Sequence, residues 1–116
     1  MRIEDVKTEQ DVKEFLKDSP KFATAVYLVT YKMPYGKVCT YGRVAKLIGK
    51  PGASRAVANT LHNNPLFPVV PCWRVVKADG GFGGDPKAAA GRRGRVQSEG
   101  VRIRDGKVVM NSDVLY

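Results

Sequence analysis

The sequence predicts a small α/β domain, mostly helical, in which a winged-helix-like helix-turn-helix is joined by a short β element and a hairpin. Three observations carry this reading. Apolar residues recur at helical spacing in segments cut by Pro and Gly, rather than in long alternating runs. Two of those segments are short and are separated by Gly49-Lys50-Pro51-Gly52. The third is Val101 to Val109, which reads as a hairpin turning at Asp105-Gly106. At 116 residues, 43% of them apolar, the chain has material for one core and not for two.

Taken in order, the first helix runs from Thr8 to Asp18. Thr8 caps it, Asp11 follows three residues on, and Val12, Phe15 and Leu16 share a face. Ser19-Pro20 stops it and starts a second helix, Lys21 to about Tyr31, with Phe22, Val26 and Val29 in register. Pro34-Tyr35-Gly36 is a turn. Val38 to Tyr41 leads into a helix to Ile48, with Val44, Leu47 and Ile48 expected inside. After the Gly49–Gly52 break comes a helix from Ala53 to His62. Its leading face is Ala53-Ser54-Arg55-Ala56, small residues from which Arg55 alone projects. Such a face suits close approach to a nucleic-acid groove or, equally, tight packing against another helix.

Phe67-Pro68-Val69-Val70 reads as a buried strand that turns at Pro71-Cys72, placing a thiol at its end. A thiol so placed is either inert packing or a nucleophile. Cys39, in an apolar approach to Tyr41, reads as a small buried hydrophobe. Two cysteines make no disulfide framework and no metal-ligand spacing, which fits reduced thiols in an intracellular protein. Four glycines in Lys77–Asp85 form a tight or mobile loop without the Lys-Ser/Thr of a phosphate loop. Pro86 to Gln97 forms a last helix, weakened by Gly91 and Gly94 and bearing Arg92, Arg93 and Arg95.

Charge separates two parts of the chain. Residues 1–20 hold four basic and six acidic side chains, whereas no Asp or Glu occurs between Lys21 and Ala78, where nine Lys and Arg lie. A solvated face usually mixes both signs, so this run points to a polyanion; a generally basic protein is the bland alternative. Nucleic acid is favoured over a membrane surface, since no amphipathic helix with large exposed apolar residues accompanies the charge. No stretch approaches the ~18–20 apolar residues of a membrane span, and Met1–Asp5 lacks the apolar centre of a secretion signal.

Read together, Pro34-Tyr35-Gly36-Lys37-Val38, Thr40-Tyr41-Gly42, Ser54-Arg55-Ala56-Val57, Asn64-Pro65, Pro71-Cys72-Trp73-Arg74-Val75-Val76 and Glu99-Gly100 resemble the O6-alkylguanine-DNA alkyltransferases. The resemblance covers roughly residues 20–110. It implies a repair protein that flips an O6-alkylated guanine from the duplex and moves the alkyl group irreversibly to its own cysteine. By position, Cys72 is then the alkyl acceptor, Asn64 holds the turn that presents it, and Glu99 ends the proton relay. Arg55 fills the gap left by the base, Tyr41 helps rotate the nucleotide, and the backbone near Val75 reads the guanine edge. Ser54, Ala56 and Arg74 complete the implied DNA and substrate contacts. The implied partner is double-stranded DNA containing O6-alkylguanine, met by a monomer without cofactor, metal or membrane. Residues 1–20 are an acidic helical extension, where many relatives carry a separate domain, and residues 21–116 form the DNA-binding and active-site domain.

Two departures stand out. The family's Pro-Cys-His-Arg-Val here carries Trp73 at the relay histidine, and indole donates but does not accept a proton. Three readings are open: Glu99 reaches the thiol or a water more directly, the positive field stabilises the thiolate, or transfer is lost. The last leaves a reader of alkylated guanine that works with other repair proteins, as alkyltransferase-like proteins do; retention of Cys72 and Glu99 favours transfer. The second departure is Asp85, standing after Gly83-Gly84 where many relatives have an aromatic lid; Phe82 is the substitute to test. A generic basic DNA-binding regulator is the third hypothesis. His62 reads as a surface or phosphate-contacting residue, Arg92, Arg93 and Arg95 as phosphate contacts or a solvated face, and Trp73 first as a core aromatic.

Overall fold

The computed structural model describes residues 1–116. Its five α-helices are α1 (Glu9–Phe15), α2 (Lys21–Tyr31), α3 (Tyr41–Leu47), α4 (Ser54–His62) and α5 (Pro86–Ser98). Four two-residue strands accompany them: β1 (Cys39–Thr40), β2 (Val75–Val76), β3 (Ile103–Arg104) and β4 (Lys107–Val108).

Local chemistry explains most helix starts. Thr8 and Asp11 close a capping box on α1. The Thr40 hydroxyl accepts the Arg43 N–H to cap α3, and Asp85 accepts from Ala88 to cap α5, whose first residue is Pro86. Asp85 is therefore a helix cap. Helix α5 runs unbroken through Gly91 and Gly94.

Strand β1 pairs in parallel with β2, Cys39 opposite Val75 and Thr40 opposite Val76. Parallel neighbours need a crossover, and α3 and α4 supply it. The C-terminus adds to the same edge: Val38 N–H donates to Val114 and Tyr116 N–H donates back to Val38. The hairpin β3–β4 turns at Asp105-Gly106, both with positive φ.

A single core runs through the molecule. Val26 of α2, Val44 and Ala45 of α3, Val57 and Leu61 of α4, and Val75 and Val76 of β2 are fully buried within it. Val6, Val12 and Leu16 from the acidic N-terminal segment join the same core. The Tyr27 hydroxyl donates to the Thr60 carbonyl at 2.7 Å, tying α2 to α4.

Three expectations need correction. Leu47 is 42% exposed, because the face of the short α3 that turns inward carries Val44 and Ala45. Residues 65–69 form turns rather than a strand: Asn64 and Leu66 hold the chain in a tight loop, and Cys72 opens a 3-10 turn, Cys72–Arg74, ahead of β2. Phe82 is a core side chain, 7% exposed, and not a lid.

Candidate nucleic-acid interface and thiol site

Helix α4 presents Ser54, Arg55, Ala56 and Asn59 to solvent while burying Val57 and Leu61. This separates the two meanings of its small-residue face. The packing contact is made by the other side of the helix, and the Ser54–Ala56 edge is free with Arg55 standing on it. Beside it opens a groove of about 430 Å³, lined by Thr40, Tyr41, Arg55, Ala58, His62, Lys77 and the Gly83-Gly84 backbone among others. Lys77 and Arg55 give the groove positive charge.

A second cleft, about 290 Å³, holds the thiol. Cys72 lines it and is 6% exposed, so the sulfur borders the cleft while the residue stays in the core. Asn64 fixes its approach. The Asn64 side-chain N–H donates to the Val70 carbonyl at 2.8 Å, its oxygen accepts from Leu66 N–H at 2.9 Å, and Cys72 N–H donates to that same Val70 carbonyl. The opposite wall comes from α5, with Ala88, Gly91, Arg92 and Arg95. The Arg95 guanidinium lies 4.6 Å from the ring centres of both Phe67 and Trp73, a cation–π contact across the cleft mouth.

Trp73 is buried, and its indole N–H donates to Glu99 Oε2 at 2.8 Å. Arg74 grips the same carboxylate through Nε and Nη2 and donates Nη1 to the Met33 carbonyl. Gly36 N–H adds a fourth donor to Glu99 at 2.9 Å. Burial acts to raise the Glu99 pKa, but the hydrogen bonds from Arg74, Gly36 and Trp73 outweigh it and hold the carboxyl below its ordinary value. Glu99 is thus an ionised carboxylate enclosed by donors. Val75 continues from this turn into β2, fully buried.

Among the residues named from sequence, Asn64, Cys72 and Trp73 line the thiol cleft, while Tyr41, Ser54 and Arg55 line the groove. Ala56 lies exposed on the same helix edge as Ser54 and Arg55, while Arg74 and Glu99 form an ion pair behind the thiol turn. The surface or phosphate-contacting place expected of His62 needs correction. His62 is half-buried, lines both clefts and bonds the Tyr41 hydroxyl at 3.1 Å. The available signal was its spacing: Ala58 and His62 form an i, i+4 row beside the buried Val57–Leu61 row. Arg92, which the sequence allows as a phosphate contact or part of a solvated face, donates to the Gly83 carbonyl at 2.9 Å. Cys39 is fully buried, and burial pushes its thiol up to about 11. No three of the His, Cys, Asp and Glu side chains converge as a metal site would require, and no helix is long and apolar enough to cross a membrane.

An exposed helix edge with one projecting arginine, next to a cleft that ends on a thiol, defines a helix-turn-helix domain with a reactive-group pocket. Residues 21–101 match the family described as 6-O-methylguanine DNA methyltransferase, DNA binding domain, and the chain belongs to that family. It is 42% identical over 80 residues to a methylated-DNA–protein-cysteine methyltransferase of Mycolicibacterium paratuberculosis, covering 66% of this chain and 48% of that protein. A protein of the same name from Saccharolobus islandicus is 38% identical over 82 residues, covering 71% and 52%. The chain thus spans about half the length of these curated relatives. Among solved structures, S. pombe Atl1 in complex with damaged DNA containing O6-carboxymethylguanine superposes with a TM-score of 0.72 at 29% identity, covering 83% of this chain and 94% of that one. The Mycobacterium tuberculosis O6-methylguanine methyltransferase gives 0.67 at 33% identity, covering 75% and 53%.

Proposed function

We propose that this protein repairs DNA directly, extruding an O6-alkylated guanine from the duplex and transferring its alkyl group to Cys72 in a single turnover. The observation that carries this reading is the position of Cys72, a thiol bordering a cleft next to the groove of α4. Duplex guanine is stacked, so chemistry at its O6 substituent requires the base to leave the helix. Arg55 projects from a small-faced helix edge and is suited to fill the space left behind. In the transfer step the Cys72 thiolate attacks the alkyl carbon, the S–C bond forms and the C–O6 bond breaks. The released electron pair goes to the guanine ring system, which ends with the proton lost by the thiol. Soft sulfur suits this displacement once ionised. The working partner is double-stranded DNA carrying the lesion, inside the cell.

The enclosure of Glu99 favours a second reading. With donors from Trp73, Arg74 and Gly36 on both oxygens, it is a poor receiver for the thiol proton, and a protein without that relay acts as a reader of O6-alkylguanine that hands the lesion to other repair proteins. The test is the mass of the intact protein after incubation with an oligonucleotide duplex containing O6-methylguanine. Transfer adds one methyl group, abolished in Cys72→Ala. Tight binding with no mass change makes the protein a reader, and equal affinity for intact duplex removes both readings.

A further inference from the structure

His62 is the one side chain that lines both clefts. Its Nε2 meets the Tyr41 hydroxyl from α3 at 3.1 Å. The glycine loop closes on the pair from the other side: a Cβ at Gly83 would stand 2.7 Å from His62 Nε2 and 2.7 Å from the Tyr41 oxygen. Arg92 of α5 donates to the Gly83 carbonyl at 2.9 Å and holds that backbone in place. Three helices and one loop therefore meet in a partition. On one side lies the groove with Arg55, on the other the cleft with Cys72.

We propose that His62 is a positioning residue for the extruded nucleotide: with Tyr41 and Gly83 it forms a threshold between the α4 groove and the Cys72 cleft, which the entering base displaces. The direction of travel rests on the base-flipping reading above. The loop side of the partition is fixed by close packing, and the side-chain closure is one hydrogen bond, between His62 and the Tyr41 hydroxyl, so the ring of His62 is the part that can move. Burial first, and then the Arg92 charge, hold the imidazole below its ordinary pKa of 6.5, so at neutral pH the ring meets Tyr41 uncharged. A swing of this one ring toward solvent joins the two spaces. Because any side chain at Gly83 would collide with both partners, glycine there is a condition of the closed state.

The experiment measures entry separately from chemistry. A duplex with 2-aminopurine beside O6-methylguanine brightens when the methylguanine leaves the stack, and stopped-flow gives the rate of that step. His62→Ala is expected to speed capture several-fold, up to about tenfold, as removal of one ordinary hydrogen bond allows. His62→Gln, which keeps an acceptor at similar reach, is expected to stay near the parent rate. Alkylation of Cys72 by free O6-benzylguanine, which has no duplex to leave, is expected not to share the acceleration seen with duplex in His62→Ala. Capture that is unchanged or slower in His62→Ala overturns the threshold. An equal fall in alkylation by duplex and by free base also overturns it, making His62 the thiol's proton acceptor instead. If the parent captures the lesion but transfers nothing, the transfer reading fails while accelerated capture still upholds the threshold; if the parent captures nothing, both fail.

Discussion

The Trp73 indole nitrogen lies 2.8 Å from Glu99 Oε2 and commits its only hydrogen there. The tryptophan at the relay position is therefore wired to the same glutamate that the family resemblance assigns to the relay, but as a donor with nothing left to accept a proton. Two guanidinium groups also lie over its ring, Arg74 at 5.5 Å and Arg95 at 4.6 Å from its centre. Trp73 seals the turn that carries Cys72 and supplies it with no base.

Trp73→His follows directly. An imidazole keeps one N–H for Glu99 and frees one nitrogen to accept. Alkylation of Cys72 by O6-methylguanine duplex, followed by mass, is expected to speed up by about a hundredfold, the low end of general-base effects. The same variant is expected to lose about 2 kcal/mol of stability as a large buried aromatic shrinks. No gain in rate would show that the thiolate is already formed by the local positive field.

Glu99→Gln tests the ion pair. The Arg74 and Glu99 side chains are 14% and 6% exposed and 2.9 Å apart, and removing one charge of a buried pair costs about 3 kcal/mol. The pH dependence has a definite sign. Glu99 is held below its ordinary 4.5, so its contribution is full above that value and is lost as pH falls through the lower, folded-state value. Urea unfolding at pH 7 and in the acid range below 4.5 is expected to show a steep drop in the parent and a shallower one in Glu99→Gln.

Arg55→Ala separates recognition from folding. Arg55 is exposed at the first turn of α4, so stability is expected to stay within about 0.5 kcal/mol. The ratio of affinities for lesion-bearing and intact duplex, at fixed salt, is expected to fall more than it does in Lys46→Ala. Equal losses in the two variants would leave Arg55 a general phosphate contact.

The two thiols should part company toward iodoacetamide. Cys39 is fully buried with its thiol pushed up to about 11, while Cys72 borders a cleft. Native protein at pH 8 is expected to gain one adduct, on Cys72 by peptide mapping, and a second only in urea. Prior incubation with a lesion duplex is expected to block the first adduct if transfer has occurred.

Legibility in the sequence followed the range of the interactions. The boundaries of α2 and the capping of α1 were readable because Pro20, Thr8 and Asp11 act within one turn. The hairpin at Asp105-Gly106 was readable for the same reason. The strand expected before Cys72 was not there, because the Asn64 side chain, six residues away from Val70, folds an apolar run into turns that periodicity does not report. Leu47 has helical spacing, but one short helix buries only part of its apolar set. The thiol was found from its motif. The place of His62 between the two clefts was not, since it depends on Tyr41, twenty-one residues away, and on a glycine that approaches both.

The two-residue ladder between β1 and β2 sets where this chain tolerates change in length. Tyr41 follows β1 immediately and the thiol turn immediately precedes β2, so groove and thiol hang from opposite rails of one short track. An extra residue in the Gly49–Gly52 bend or at Gly106 lies outside that track and leaves their spacing alone. A slip of one residue between Cys39 and Val75 moves the thiol by about 3.3 Å against Tyr41 and turns the side chains of the slipped strand to the other face. In this chain the loops are where length can change, and the distance from the α4 edge to the sulfur is the dimension the ladder holds.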